Sequence, residues 1–183
     1  MKLCASLASA TPTKMATLKM YTVFGQKNKF AIEIKVNGVI EKSNLRLWIL
    51  NNPIGNFKRM DVLTHSVRNF KKFLFHKGTL HDKVVDSMSP IEVFQWMLGE
   101  PNEHKGLEDR MKYVRWMGEQ MDEFCMFAFF RDNRFDWIVY DVRKKKATSY
   151  AIEESDLIST STEYINWYER EYGLVTCDYD NFP

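Results

Sequence analysis

Phe30-Ala31-Ile32-Glu33-Ile34-Lys35-Val36-Asn37-Gly38 sets the class of fold. Phe30, Ile32, Ile34 and Val36 alternate with Ala31, Glu33 and Lys35, the two-residue period of a strand buried on one face. Asn37-Gly38 then supplies the positive φ angles of a tight hairpin turn. A second strand is expected over 45–50, with Leu45, Leu47 and Ile49 on one face and Arg46 and Trp48 on the other. Residues 39–44 lie between turn and strand, leaving room for a connection longer than two residues.

Outward from this hairpin the pattern changes period. Phe57, Met60, Leu63, Val67, Phe70 and Leu74 recur three or four apart, which predicts a helix over 57–76. Ser89, Pro90 and Glu92 stand as N-cap, first helical residue and capping-box acid of a second helix that ends at Gly99. A third, more polar helix is expected over 107–121 with Met111, Val114 and Met117 inward. Strands return at 124–130, a continuous apolar run that reads as a buried strand, at 135–141 and at 147–152. A last helix is expected from Ser155 to a stop at Gly173. Strands, helices, strands, then a helix is an α+β order, not the strict alternation of a doubly wound fold. The expected architecture is a mostly antiparallel sheet of about five strands with three to four helices packed on one face.

The chain has 183 residues, of which 45% are hydrophobic and 27% charged. That is enough for one core and too apolar for disorder. The expected layout is a single domain over 21–173 and an acidic tail over 174–183. Residues 1–20, rich in Ala, Ser and Thr and without either period, are expected to be a disordered or extension segment. Ser6 and Ser9 break what would otherwise resemble a signal peptide, and Met15 and Met20 are expected as alternative starts. The longest apolar run is the seven residues of 124–130, against about 20 for a membrane-crossing helix, so no membrane partner is expected. Cys4, Cys125 and Cys177 are too few and too scattered for a disulfide framework, which points to a reducing cytoplasm.

The net charge of +2 hides a division: residues 1–90 carry 15 Lys and Arg against 5 acids, and residues 91–183 carry 11 against 19. Mutual neutralisation within one domain is the expected result.

Chemistry-bearing motifs are scarce. His65, His76, His81 and His104 lack zinc spacing, and the glycines form no phosphate-binding pattern, so no cofactor and no metal is expected. Cys125 lies inside an apolar strand and Ser66 has no nucleophile-elbow context. Asp136, Asp141 and Arg143 resemble a nuclease triad, but alternating strand charges account for them equally. The rival to protein binding is nucleic-acid binding through the basic helix 57–77, with Lys58, Arg59, Arg68, Lys71, Lys72 and Lys77, joined by the basic turn 143–146. Such stripes are more often solvated helix faces, so nucleic acid is not the expected partner.

Phe24-Gly25-Gln26-Lys27-Asn28-Lys29-Phe30-Ala31-Ile32-Glu33 resembles the opening of a family of bacterial polymorphic-toxin immunity proteins, immunity protein family forty-two. That family opens with a similar Phe-Gly-Asp-x-x-x-Phe-Ala-Ile strand, from which Gln26 departs. Asn52-Pro53-Ile54-Gly55 after the Trp48 strand, the aromatic strand 123–131 and Trp137-Ile138-Val139-Tyr140-Asp141 are similar too, so the resemblance spans residues 21–172.

The resemblance implies an inhibitor and not an enzyme. It would bind and neutralise the C-terminal toxin domain of a cognate secreted effector, in contact-dependent growth inhibition or a related system, inside the bacterial cytoplasm. A nuclease is one candidate for that toxin. Binding of this kind needs a rigid scaffold, a complementary charge surface and a few buried anchors, burying on the order of 1,600 Å². An inhibitor of a basic nuclease groove would offer acids. Two sets are the expected toxin-binding residues: Glu100, Glu103, Glu108, Asp109, Glu119 and Asp122 around the third helix, and Glu153, Glu154 and Asp156 before the last. Trp48, Trp116 and Trp137 are the aromatic candidates, each assigned first to packing.

Overall fold

The computed structural model describes residues 19–99 and 110–177. Among them the chain runs β1 (Lys19–Gly25), β2 (Phe30–Asn37), β3 (Val39–Ile49), β4 (Asn52–Ile54), α1 (Leu63–His76), α2 (Pro90–Leu98), β5 (Phe124–Arg131), β6 (Arg134–Asp141), β7 (Lys146–Glu153) and α3 (Glu154–Tyr172). This is the expected α+β class, but the single five-stranded sheet is corrected to two antiparallel sheets, β1-β2-β3-β4 and β5-β6-β7. The hairpin turns tightly at Asn37-Gly38, and a register shift at Val36/Asn37 lets β3 start at Val39. In β1, Met20, Thr22 and Phe24 lie opposite Val36, Ile34 and Ile32, extending the apolar face by a strand that the sequence reading left out.

Helices on one face is the second correction. Alternation sends Phe135 and Trp137 of β6 to one side, where Phe73 of α1 meets Phe135 at 4.8 Å and Phe30 of β2 meets Trp137 at 5.7 Å. Ile138 and Tyr140 point to the other side, where α2 lies and Phe94 stacks on Tyr140 at 3.7 Å. The second sheet is therefore covered on both faces, as an uninterrupted apolar strand such as β5 requires. α3 packs on β1, β2 and α1, with Tyr164 and Trp167 against Phe24. The core is an aromatic network where the two sheets, α1 and α3 converge.

Two helix expectations change. Only 63–76 of the stretch 57–76 is helical. Asn56 Oδ1 accepts the Lys58 amide at 3.1 Å and the Asn56 carbonyl accepts the Arg59 amide at 3.0 Å, a side-chain-stabilised turn. Asp61 then bridges to Ser43 of β3. Of the helix expected over 107–121, the part up to 109 lies outside the described residues. Beyond Met111 it is absent: Ala128 donates to the Tyr113 carbonyl at 2.9 Å and Arg115 to the Met126 carbonyl at 2.7 Å. This segment pairs with the outer edge of β5, whose backbone groups a helix would leave unmet. Met117 is buried, but Met111 is exposed. The last helix and its stop at Gly173 fall within one residue of expectation. No helix among the described residues is long and apolar enough to cross a membrane.

Candidate functional site

The structure separates the expected acidic residues into two places. Glu100, Glu103, Glu108 and Asp109 lie outside the described residues. Glu119 and Asp122 sit at a 3-10 turn, Glu119–Met121, where Arg59 donates to the Glu119 carbonyl at 3.1 Å and pairs with Asp122 at 2.6 Å. At the β7–α3 junction, Glu154 pairs with Lys77, and Asp156 with Lys29 at 3.0 Å. Glu153, the last residue of β7, is exposed opposite Arg134. Three of these five acids thus face cations supplied by the first 90 residues.

Part of the basic set faces acids in the same way. Lys58 and Arg59 are not on a helix, which corrects the basic helix 57–77. Lys71 pairs with Glu169 at 2.6 Å and donates to the Val175 carbonyl at 2.8 Å. The Lys71 hydrogen bond holds the Glu169 carboxyl below its ordinary range. In the basic turn, Arg143 pairs with Glu123 and Lys144 with Asp141 at 3.1 Å. Arg68 and Lys72 line a shallow groove with His65, Asn69 and the exposed Trp116. Trp137, by contrast, is core.

The catalytic candidates are placed in unreactive settings. Asp136 and Asp141 are five residues apart in β6 and so emerge on opposite faces; Asp136 is held by Arg131 at 2.7 Å. Ser66 Oγ donates to the Leu63 carbonyl and shares a 2.7 Å hydrogen bond with the Tyr164 hydroxyl, whose pKa burial pushes well up. Burial also pushes the Cys125 thiol up, away from the thiolate a nucleophile needs. Arg115 is buried over the Phe73 ring at 4.6 Å, and burial brings its pKa down to about 9. Among the described residues no group of three His, Cys, Asp or Glu converges as a metal site.

Sequence reading missed a cluster built around Glu33. The register of β1, β2 and β3 sets Val23, Glu33 and Arg46 side by side on the face turned away from α1 and α3. Glu33 has no solvent exposure. Its Oε1 accepts from the Tyr21 hydroxyl and from Lys27 Nζ at 3.0 Å, and its Oε2 accepts from Arg46 Nε and from Trp48 Nε1 at 2.7 Å. Lys27 lies over the Trp48 ring at 4.3 Å, and Arg46 over Trp48 at 4.7 Å and over Phe57 at 4.6 Å. Phe57 meets Tyr21 edge-on at 6.4 Å. A buried carboxylate is tolerated only when paired and hydrogen-bonded, and here two cations and two neutral donors do both. The signal available in the sequence was weak: Glu33 alternates outward like any solvent-facing residue, and only the hairpin register brings Arg46 and Trp48 beside it.

Comparison with known proteins gives one result. The family model described as Immunity protein 42 matches residues 20–167. No curated protein and no solved structure matches. Coverage of most of the chain, from β1 into α3, settles the assignment: this chain belongs to the immunity protein 42 family.

Proposed function

We propose that the protein binds and neutralises the C-terminal toxin domain of a cognate secreted bacterial effector, by occlusion and without catalysis, in the cytoplasm of the producing cell. The family match over residues 20–167 carries this reading. Two sheets sharing one aromatic core support it physically, because a preorganised surface loses less freedom when a partner docks. A nuclease acting in contact-dependent inhibition is the toxin class we favour.

The nucleic-acid alternative is weaker on physical grounds. Arg59, Lys71, Lys77, Arg143 and Lys144 each hold a carboxylate, so five of the ten cations in the stretch 57–77 and the turn 143–146 would have to give up an ion pair before displacing counterions from phosphates. Co-expression tests the primary reading. The C-terminal domain of the large secreted protein encoded beside this gene should arrest growth alone, and this chain should restore growth and co-purify with that domain. Continued arrest with no complex would count against it. Filter binding to RNA and DNA at about 50 mM salt should show no retention.

A further inference from the structure

We propose that the outer face of β1, β2 and β3 is the docking surface for the toxin domain, and that this domain presents carboxylates around an apolar contact. The assignment rests on the immunity reading and adds to it the surface and the chemistry of the partner.

Three observations converge on this face. The first is composition: Tyr21, Arg46 and Trp48 belong to the residue types that dominate binding energy at protein interfaces, and Tyr21 is 58% exposed. The second is rigidity. Glu33 ties Tyr21, Lys27, Arg46 and Trp48 to a single carboxylate at the centre of the patch, so their side chains are ordered before a partner arrives. The third is charge. Among the described residues, Lys27 and Arg46 pair with Glu33 and the exposed Lys35 follows it on the same face of β2, three cations to one carboxylate, which matches a partner carrying acids. Of the five acidic residues expected to meet the toxin that are described, three are, by contrast, engaged within the chain.

Cations beside aromatic rings also suit single-stranded nucleic acid. The geometry favours protein. Base stacking needs a free ring face, and cations already lie over the rings of Trp48 and Phe57, which reduces what a base can stack on. Tyr21 and the edges of these rings remain available for the side-on packing that a protein surface provides.

The test measures association and dissociation between the intact chain and the catalytically silenced C-terminal domain of the neighbouring secreted protein. Tyr21→Ala should raise Kd about 30-fold. Lys35→Glu should slow association about 10-fold at low salt. Reversing Glu119, Asp122 and Glu153 together to Lys should change Kd by less than about 3-fold. Thermal unfolding establishes that each variant is folded, and both Tyr21 and Lys35 are exposed enough for the fold to survive. The surface assignment is overturned if Tyr21→Ala and Lys35→Glu bind as the parent does, or if only the acid reversals abolish binding. It is overturned in favour of nucleic acid if the parent chain retains a single-stranded RNA that Tyr21→Ala releases. A parent chain that captures no toxin domain overturns the immunity reading itself, an outcome distinct from the other two.

Discussion

Glu33 has no contact with solvent, yet it sits on the side of its sheet turned away from α1 and α3. Side chains do the covering instead: the long stems of Lys27 and Arg46 and the rings of Trp48 and Phe57 close over the carboxylate, burying their own apolar parts while their polar ends meet it. Removing the acid would leave two cations, a hydroxyl and an indole N–H without their shared acceptor. Glu33→Ala should therefore cost about 3–5 kcal/mol of stability, the scale for breaking a buried ion pair, whereas Trp48→Phe, which deletes a single donor to a charged group, should cost about 1.5–3 kcal/mol. Urea unfolding midpoints measure both, and a Glu33→Ala loss below about 1 kcal/mol would show that the cluster is not a structural unit. Residue-level reading of the sequence could not reach this site. Ala31, Glu33 and Lys35 alternate outward alike, and what distinguishes Glu33 is its partner across the hairpin, Arg46, which only the register shift at Val36/Asn37 brings opposite.

At the level of elements, helix periodicity was a sound guide to α1, α2 and α3 and a poor one at their margins, because a local polar interaction overrode it. Asn56 turns the chain where Phe57 and Met60 continue the apolar stripe, and those two side chains leave the core: Met60 is 52% exposed and Phe57 joins the outer cluster. The stretch 107–121 shows the same conflict resolved by glycine. Gly118 has φ +114°, a conformation no helix contains, and a Cβ there would lie 2.3 Å from Asp61 Oδ2. That oxygen accepts the Glu119 amide at 2.8 Å, and the other carboxylate oxygen of Asp61 accepts the Val62 amide at 2.6 Å. One acid thus orders both the entry to α1 and the turn that leads into β5. Gly118→Ala combines backbone strain of about 1–3 kcal/mol with a clash against this anchor. The expected outcome is a lower melting temperature together with loss of amide protection at Val62 and Glu119 in hydrogen exchange. Unchanged protection at those two amides would refute the linkage. Periodicity also misled the reading of layers: β5 is apolar at every position from 124 to 130, which demands cover on both sides, while a single layer of helices supplies only one.

For the molecule as a whole, the division of charge along the chain becomes a set of clasps. Lys29–Asp156, Arg59–Asp122, Lys71–Glu169 and Lys77–Glu154 each join a cation from the first 90 residues to an acid from the remainder. The aromatic core is shared across the same divide, with Phe30 against Trp137 and Phe70 against Tyr164. Hydrophobic burial outweighs the clasps in driving the parts together, since exposed pairs contribute about 0–1 kcal/mol each. Their effect lies in orientation and in pH dependence. Lys71–Glu169 is the least exposed of the four: Lys71 holds the Glu169 carboxyl below its ordinary 4.5, and Glu169 Oε1 also accepts the Val175 amide at 3.1 Å, fastening the segment after α3. A carboxyl whose pKa is lower folded than unfolded stabilises the protein above the unfolded value, and that contribution disappears as pH falls through the folded one. Lys71→Met should thus lower the unfolding free energy by about 1 kcal/mol at pH 7. The gap between parent and variant should begin to narrow as pH drops below about 4, where the unfolded carboxyl becomes protonated, and narrow further as the folded one follows. Urea titrations at pH 7 and pH 3 read this directly. A gap that does not narrow at all between pH 7 and pH 3 would mean that Lys71 acts through the packing of its stem between α1 and α3, and that the charge division is decorative at this clasp.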